Sequence, residues 1–400
     1  MLRRYVEVLR APGALAFSAS GLTARLTMSM FGISIVLAVS AETGSYGRAG
    51  LVAGAALLAQ AVAVPLLARA ADRLGQRRML RPVLSLHAAC LGAFIVVVGV
   101  APVGVLVGTA ALAGATIPSF GSMVRARWAR LYGGTPRLHT AYAFESVLDE
   151  VVFVVGPVVA TVLATSLHPR SGLVATLLLT VGGGLVFAAQ RRTEPTPTPR
   201  QHHLDGDRLR TRSLGWIVLT FAFMGVIFGS VEVVTVAFTD AAGVIQASGP
   251  VLAVYAFGSM LSGLVVGSVH WRTGPRGRFL AGQAAMAATL LPLPFVGPVW
   301  LLAVVMFVAG LAISPTIIAG FSLVESEAPA SRLTEGLAWI STALNAGVAV
   351  GAAVSGPVVD RFGPSTGYLV AVTAGLLTMA AGAVGHRRRA APLPSATGSL

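Results

Sequence analysis

Twelve apolar stretches of roughly 17 to 25 residues dominate the chain, and a helix of that length crosses the hydrocarbon core of a bilayer. They run over residues 14–39, 50–68, 83–100, 103–124, 140–165 and 171–189 in the first half, and 214–238, 248–269, 279–297, 299–322, 335–358 and 366–385 in the second. Inside hydrocarbon a backbone must satisfy its own hydrogen bonds, so the expected fold class is an all-α membrane protein with twelve transmembrane helices. Hydrophobic residues at 55%, charged residues at 11% and a mean hydropathy of +0.79 rule out a soluble domain of 400 residues.

All 29 basic residues are arginine, and their distribution orients the spans. With a cytoplasmic N-terminus, 25 of them fall in cytoplasmic segments: Arg3 to Arg10, Arg69 to Arg81, Arg125 to Arg137, Arg191 to Arg212, Arg272 to Arg278, Arg332, and Arg387 to Arg389. Arg48, Arg170 and Arg361 fall outside, and Arg25 lies within the first span. So uneven a split is a positive-inside signal and places both termini in the cytoplasm. It also accounts for the net charge of +14, because arginines in short loops set topology and touch membrane lipid rather than nucleic acid. The N-terminal Arg pair and apolar run resemble a signal peptide, but no small-residue cleavage site follows and Arg25 interrupts the run, so the first span is expected to be retained. The single cysteine, Cys90, permits no intramolecular disulfide and is expected to serve in packing.

Residues 190–213 form the one long polar stretch, rich in Pro, Thr and charge, and separate six spans from six. The expected organisation is a cytoplasmic segment 1–13, spans within 14–189, a cytoplasmic linker 190–213, spans within 214–385 and a cytoplasmic tail 386–400. His202, His203, Asp205 and Asp207 in the linker lack a frame that would fix metal geometry, so no metal is expected there. The halves repeat one another. Gly156-Pro157-Val158-Val159 returns as Gly356-Pro357-Val358-Val359 at an offset of 200. Arg73, Gly75 and Arg77 return as Arg272, Gly274 and Arg276 at 199, and Pro118 returns as Pro315 at 197. Matches in order at nearly one offset indicate a duplicated six-span unit.

Twelve spans in a 6+6 duplication, a central linker and Asp72-Arg73-Leu74-Gly75-Gln76-Arg77-Arg78 after the second span resemble the major facilitator superfamily. Its motif in that loop reads Gly-x-x-x-Asp-Arg-x-Gly-x-Arg-Arg or Lys, with Ala68 here in place of the first Gly. The resemblance covers nearly all of residues 1–389. It implies two six-helix bundles around a cavity that opens alternately to each side, with spans three, six, nine and twelve at the periphery. Those four spans have no ionisable residue near their centres, in agreement. Gly156-Pro157 further resembles the end of a motif of drug:proton antiporters in the superfamily, although Val152, Val158, Val159 and Ala160 stand where more glycine is usual. Physically, each Gly-Pro pair (Gly156-Pro157 and Gly356-Pro357) is expected to act as a helix pivot, since proline removes a backbone donor and glycine permits close approach. The basic residue that many members carry within span four is expected to be missing, with Arg125 at the end of that span.

Charges inside the spans point to the working site. Arg25 sits midway through span one, and Glu145, Asp149 and Glu150 sit in the cytoplasmic half to middle of span five. At 3.6 residues per turn Glu145 and Asp149 share a face, about 40° apart, and Glu150 points roughly 100° further round. A charge in the bilayer is costly, so Arg25 is expected to pair with Glu145 or Asp149. Three acids to one arginine leave surplus acid for proton coupling. Glu232, in the outer half of span seven, is either a second coupling group or reaches the periplasmic interface. In the Asp72 loop, Asp72 is expected to face the N-terminus of span eleven, and Arg73, Arg77 and Arg78 to face Glu325, Glu327 and Glu335 when the cytoplasmic side shuts. Trp271 replaces the acid in the second copy, so the gate is expected to be asymmetric.

The chain therefore reads as a monomeric secondary active transporter of the cell membrane. The favoured function is proton-coupled export of a small amphipathic or drug-like compound, with a small-molecule substrate, protons and lipid as partners, no cofactor and no enzymatic activity. A phosphate-loop ATPase is excluded because the chain has no lysine. Uptake of a polar nutrient or organic anion, with Arg25 binding a carboxylate, is the alternative within transport. A non-transporting sensor or scaffold is the alternative outside it.

Overall fold

The computed structural model describes residues 2–135, 137–197, 211–268, 273–327 and 333–390, and among them the chain forms helices and no strand. A short α1 (Leu2–Leu9) precedes α2 (Ala14–Arg25) and α3 (Thr27–Thr43), which together make span one. The first half continues with α4 (Tyr46–Leu74), α5 (Gln76–Val97), the broken pair α6 (Val103–Ala115) and α7 (Phe120–Tyr132), α8 (Arg137–Ser166) and α9 (Ser171–Ala189). The second half has α10 (Thr211–Ala241), α11 (Ser248–Ser268), α12 (Pro275–Leu290), the broken pair α13 (Val299–Gly310) and α14 (Ile313–Glu327), α15 (Leu333–Phe362) and α16 (Pro364–Ala390). Pro118 lies in the break of span four, where its missing N–H ends the ladder.

Eleven segments among the described residues are long and apolar enough to span a membrane. The ninth expected span, 279–297, departs from expectation. Its helix α12 has 16 residues, about 24 Å, and Pro292 then leads into a short turn at Leu293–Phe295. Elsewhere helices outrun the apolar stretches: span four continues through α7 to Tyr132, beyond the expected end at 124, and α16 runs to Ala390, through the Arg387–Arg389 run assigned to the tail. The linker opens on a helical turn, Arg191–Thr193, and α10 has begun by Thr211. His202, His203, Asp205, Asp207, Trp271, Arg272 and Arg332 lie outside the described residues, as does the chain from 391 onward.

The helices run between two ends, one bearing nearly all the loop arginines and the other only Arg48, Arg170 and Arg361. Within the second half, α10 and α15 touch backbone to backbone: Gly225 and Gly229 lie on Leu344 and Val348, and Gly347 and Gly351 lie on Ala222 and Val226. A Cβ at any of these four glycines would collide with main chain.

Among the described residues, the close backbone contacts and hydrogen bonds between the halves lie toward the arginine-poor end. There Gly50 and Gly54 of α4 lie against Ala352 and Ala349 of α15, Gly356 of α15 lies on Tyr46 and Gly47, and Gly249 of α11 lies on Pro157 and Thr161 of α8. One apolar core runs through both halves here, from Met30 and Ile33 to Val231 and Val359. At the arginine-rich end a separate core, including Phe17, Leu84, Trp128 and Phe187, is built from the first half alone. Each half thus holds itself together, and the two are joined at one end. Spans three, six, nine and twelve (α5, α9, α12 and α16) take no part in this joint.

Candidate functional site

Four side chains, two arginines and two carboxyl groups, meet from three spans inside the first half. The Arg25 guanidinium at the end of α2 reaches α8, where it pairs with Glu145 through Nη2 and donates from Nη1 to Asp149 Oδ1 at 2.7 Å. Glu145 Oε1 also accepts from Ser18 Oγ at 2.6 Å and Trp128 Nε1 at 2.8 Å. Glu145 and Arg25 are completely buried, and this full set of donors is what allows a carboxylate and a guanidinium to remain there. Trp128 is held in place by Phe17, edge to face at 4.7 Å, and by Tyr132, stacked at 5.9 Å.

Asp149 bridges two arginines. Its Oδ2 accepts from Arg125 Nη2 at 2.7 Å while Oδ1 holds Arg25. The Asp149 side chain is 24% exposed and that of Arg125 33%, so this half of the quartet is accessible while the Glu145 half is sealed. Two expectations are corrected here. Arg125 does not lie at the end of span four: α7 carries the helix past it, and this places a basic residue opposite span five. The acids are also balanced more closely than three to one, since two arginines meet Glu145 and Asp149, and Glu150 alone has no ion-pair partner among the described residues.

Glu232 sits where the halves meet. Its carboxylate lies over Gly32 of α3, in the space a side chain there would fill, with no hydrogen-bond partner among the described residues. It is therefore directed into the seam between spans one and seven rather than out to the interface suggested as one alternative by its place in the sequence.

The Gly-Pro pairs have a more specific setting than an isolated helix pivot. The Pro157 carbonyl faces Gly249 across the seam, and Pro357 and Gly356 face Gly47, so both copies form part of the joint between the halves. Gly156 itself faces Ser29 and Met30 of α3, and Ser29 Oγ donates to the Val152 carbonyl at 2.7 Å.

The joint ends on a carboxylate that the sequence reading passed over. Asp360, in the last turn of α15, accepts from Ser45 Oγ at 2.7 Å, Tyr46 N at 2.9 Å and Gly47 N at 2.8 Å. These are the orphan donors at the start of α4, so a side chain of one half caps a helix of the other. Tyr46 Oη donates to Asp240 of α10 at 2.8 Å, a second tie across the seam. A signal existed: Asp360-Arg361-Phe362-Gly363 repeats the Asp-Arg-x-Gly of the Asp72 loop, and Gly75 and Gly363 both follow their helices at positive φ, 88° and 83°.

The pairing expected of the Asp72 loop with Glu325 is not made, and the side chains of Glu327 and Glu335 lie outside the described residues. Asp72 and Arg73 are exposed, and Arg73, Arg77 and Arg78 form no ion pair with Glu325, which is itself exposed at the end of α14. Among the described residues no ion pair joins the two groups; Glu327 lies in the last turn of α14. The loop is held instead within its own half. Arg77 N donates to Glu194 Oε1 at 2.8 Å, and the Glu194 carboxylate also packs on Gly75. Arg127, fully buried, ties the linker down by donating to Gln76 Oε1, Phe187 O, Gln190 O and Thr193 Oγ1 at 2.8 to 3.1 Å, with its guanidinium 3.7 Å above the Phe187 ring. Among the described residues no cluster of three metal-ligating side chains occurs.

The sequence profile of the Major Facilitator Superfamily matches residues 17–298 and 242–399. No curated protein sequence matches the chain. Among solved structures, the nucleoside transporter NupG is similar with a TM-score of 0.75 at 14% identity, over 95% of this chain and 99% of that one. The human organic anion transporter MFSD10 (TETRAN) gives 0.65 at 15%, over 93% and 100%. A bacterial homologue of the iron transporter ferroportin in an inward-facing state gives 0.68 at 14%, over 92% and 98%. These likenesses establish a shared fold.

Proposed function

Since the chain belongs to the Major Facilitator Superfamily, we propose that this transporter works by alternating access and exports a small amphipathic compound in exchange for protons. The arginine-rich end is taken as cytoplasmic on the positive-inside rule, which makes the described state open to the cytoplasm and closed outside.

The observation that carries the reading is the Arg25–Glu145–Asp149–Arg125 quartet, sealed on one side and accessible on the other. Asp149 is shared by two arginines, so a proton on Asp149 weakens both contacts and frees Arg125, and loss of that proton restores them. Switching a bridged carboxylate in this way ties helix packing around span five to proton occupancy, a coupling that a merely structural pair lacks. Span five also carries Pro157 at the joint with span eight, so the same helix connects the charge site to the moving seam. Glu150, one position on and without an ion-pair partner, is the second candidate proton carrier.

A second reading, binding of an organic anion, is favoured by one observation: the Arg125 guanidinium is partly exposed. In that case the substrate carboxylate competes with Asp149 for Arg125.

Both readings are tested in efflux-deficient cells by screening a chemically broad compound panel, with and without a protonophore. For export, the transporter protects against at least one compound, the protonophore removes the protection, and Asp149→Asn removes it at unchanged protein level. Accumulation of an anion that survives Asp149→Asn but is lost in Arg125→Gln selects the second reading. Unchanged flux in both variants contradicts any role of the quartet in coupling.

A further inference from the structure

The Asp72 loop and the start of the linker enclose a groove of about 570 Å³ lined by Arg77, Arg78, Arg81, Arg130, Arg191 and Glu194. Five guanidinium groups against one carboxylate leave a formal charge of +4 in that space. The arginines come from three places in the sequence: the first turns of α5, the last turn of α7, and the turn after α9. Such convergence has a cost in mutual repulsion, and among the described residues no acid other than Glu194 lines the groove to offset it. Glu194 is committed to the backbone N–H of Arg77, and the Nε of Arg77 is buried without a hydrogen-bond partner among the described residues. The groove therefore has donors in excess, including one already desolvated.

Its surroundings indicate the acceptor. Arg78 and Arg81 lie on the exposed face of α5, and the same face continues down the helix through Leu86, Ala89, Ala93 and Val96, all exposed. A polar, cationic mouth thus opens directly onto an apolar helix face of a peripheral span. A free anion would use the mouth alone; a lipid would use both.

We propose that this groove binds the phosphate-bearing headgroup of an anionic phospholipid, with acyl chains lying along α5. The phosphate is held by Arg81, Arg130 and Arg191 at the rim, because guanidinium groups match phosphate oxygens in pairs. Arg77 and Arg78 belong at once to this groove and to the Asp72 loop, so a bound lipid partly neutralises the arginines that the closed gate would turn toward Glu325. The composition of that leaflet then biases the gate.

The test uses the full-length protein, exchanged into mixed phosphatidylglycerol and phosphatidylcholine bilayers and examined by native mass spectrometry for retained lipid. Wild type should keep phosphatidylglycerol over phosphatidylcholine by about tenfold or more, and the variant R81Q/R130Q/R191Q should lose that preference. Glu194→Gln keeps an acceptor for Arg77 N but raises the charge of the groove, so it should retain phosphatidylglycerol more strongly. This opposite sign also keeps the test valid if the triple variant fails to fold. An unchanged preference in the triple variant, or no gain in Glu194→Gln, overturns the proposal. So does full displacement of the lipid by inorganic phosphate at equal concentration, which would identify a free-phosphate site.

Discussion

The two halves share one design but join their central spans by opposite means. In the first half, span one meets span five through Arg25, Glu145, Asp149 and Ser29, by ion pairs and side-chain hydrogen bonds. In the second, span seven meets span eleven through Gly225, Gly229, Gly347 and Gly351, backbone on backbone. The stretch of α15 that corresponds to the acids of α8 reads Thr342-Ala343-Leu344-Asn345-Ala346-Gly347-Val348-Ala349, without a charge. A glycine contact fits one separation and tolerates little else, whereas an ion quartet has partners that can be exchanged. Duplication followed by such divergence leaves one half as a strut and, on the proposed coupling, makes the other the place where occupancy alters packing.

Substitutions can break this contrast. The largest effect is expected at Glu145: Glu145→Ala leaves Arg25 with Asp149 alone, orphans Nη2 and the Ser18 and Trp128 donors in a sealed site, and should cost about 3–5 kcal/mol of stability, read as a large loss of thermal stability in lipid. Replacing both partners in Arg25→Met/Glu145→Leu should recover most of that loss while leaving transport impaired, which separates packing from coupling. If the double variant is as unstable as Glu145→Ala, the quartet is chiefly architectural. Next comes the strut: Gly347→Val drives a side chain into the Ala222 backbone and should cost about 1–3 kcal/mol. Gly156→Ala should cost less, because it meets the Ser29 hydroxyl, which can turn aside, as well as the Met30 side chain. Equal melting temperatures for these two glycine variants would dissolve the distinction between rigid and adaptable halves.

Smaller shifts are expected at the two ends. Asp360→Ala removes the cap on α4 and should move the balance between closed and open states by about fivefold toward opening at the arginine-poor end. Asp72→Asn, at a residue with no ion pair or hydrogen bond among the described residues, should move it about twofold in the other sense, toward the described state. Distances between spin labels at the two ends measure both, and the opposite signs are the informative part.

Much of the fold was legible because hydrophobic length and arginine placement obey bilayer physics independently of tertiary detail. The twelve stretches, the linker and the duplication are visible from residue order alone. The ninth span ends earlier than expected because Pro292, after Leu291, turns a hydrophobic run away from helix, and hydropathy does not register that change. Arg25, Glu145 and Asp149 were identifiable from the energetic cost of intramembrane charge. Arg125 was not, because span four is continued past it by Trp128, which packs on Phe17, and Tyr132, which bonds to Val8, and hydropathy does not register such contacts. Asp360 was missed for a different reason: a carboxylate at a helix end looks like ordinary surface until the N-terminus that it caps is known.

The joint between α4 and α15 also has a mechanical consequence. Its glycine contacts stop near Gly54, leaving 20 residues of α4 up to Leu74, about 30 Å of helix beyond the fulcrum with Pro65 within it. With a lever of that length, a tilt of about 15° at the joint displaces the far end by about 8 Å. On the alternating-access reading, a small tilt at one membrane face is thereby magnified into a wider opening at the other, and the aperture scales with the length of helix left unpinned.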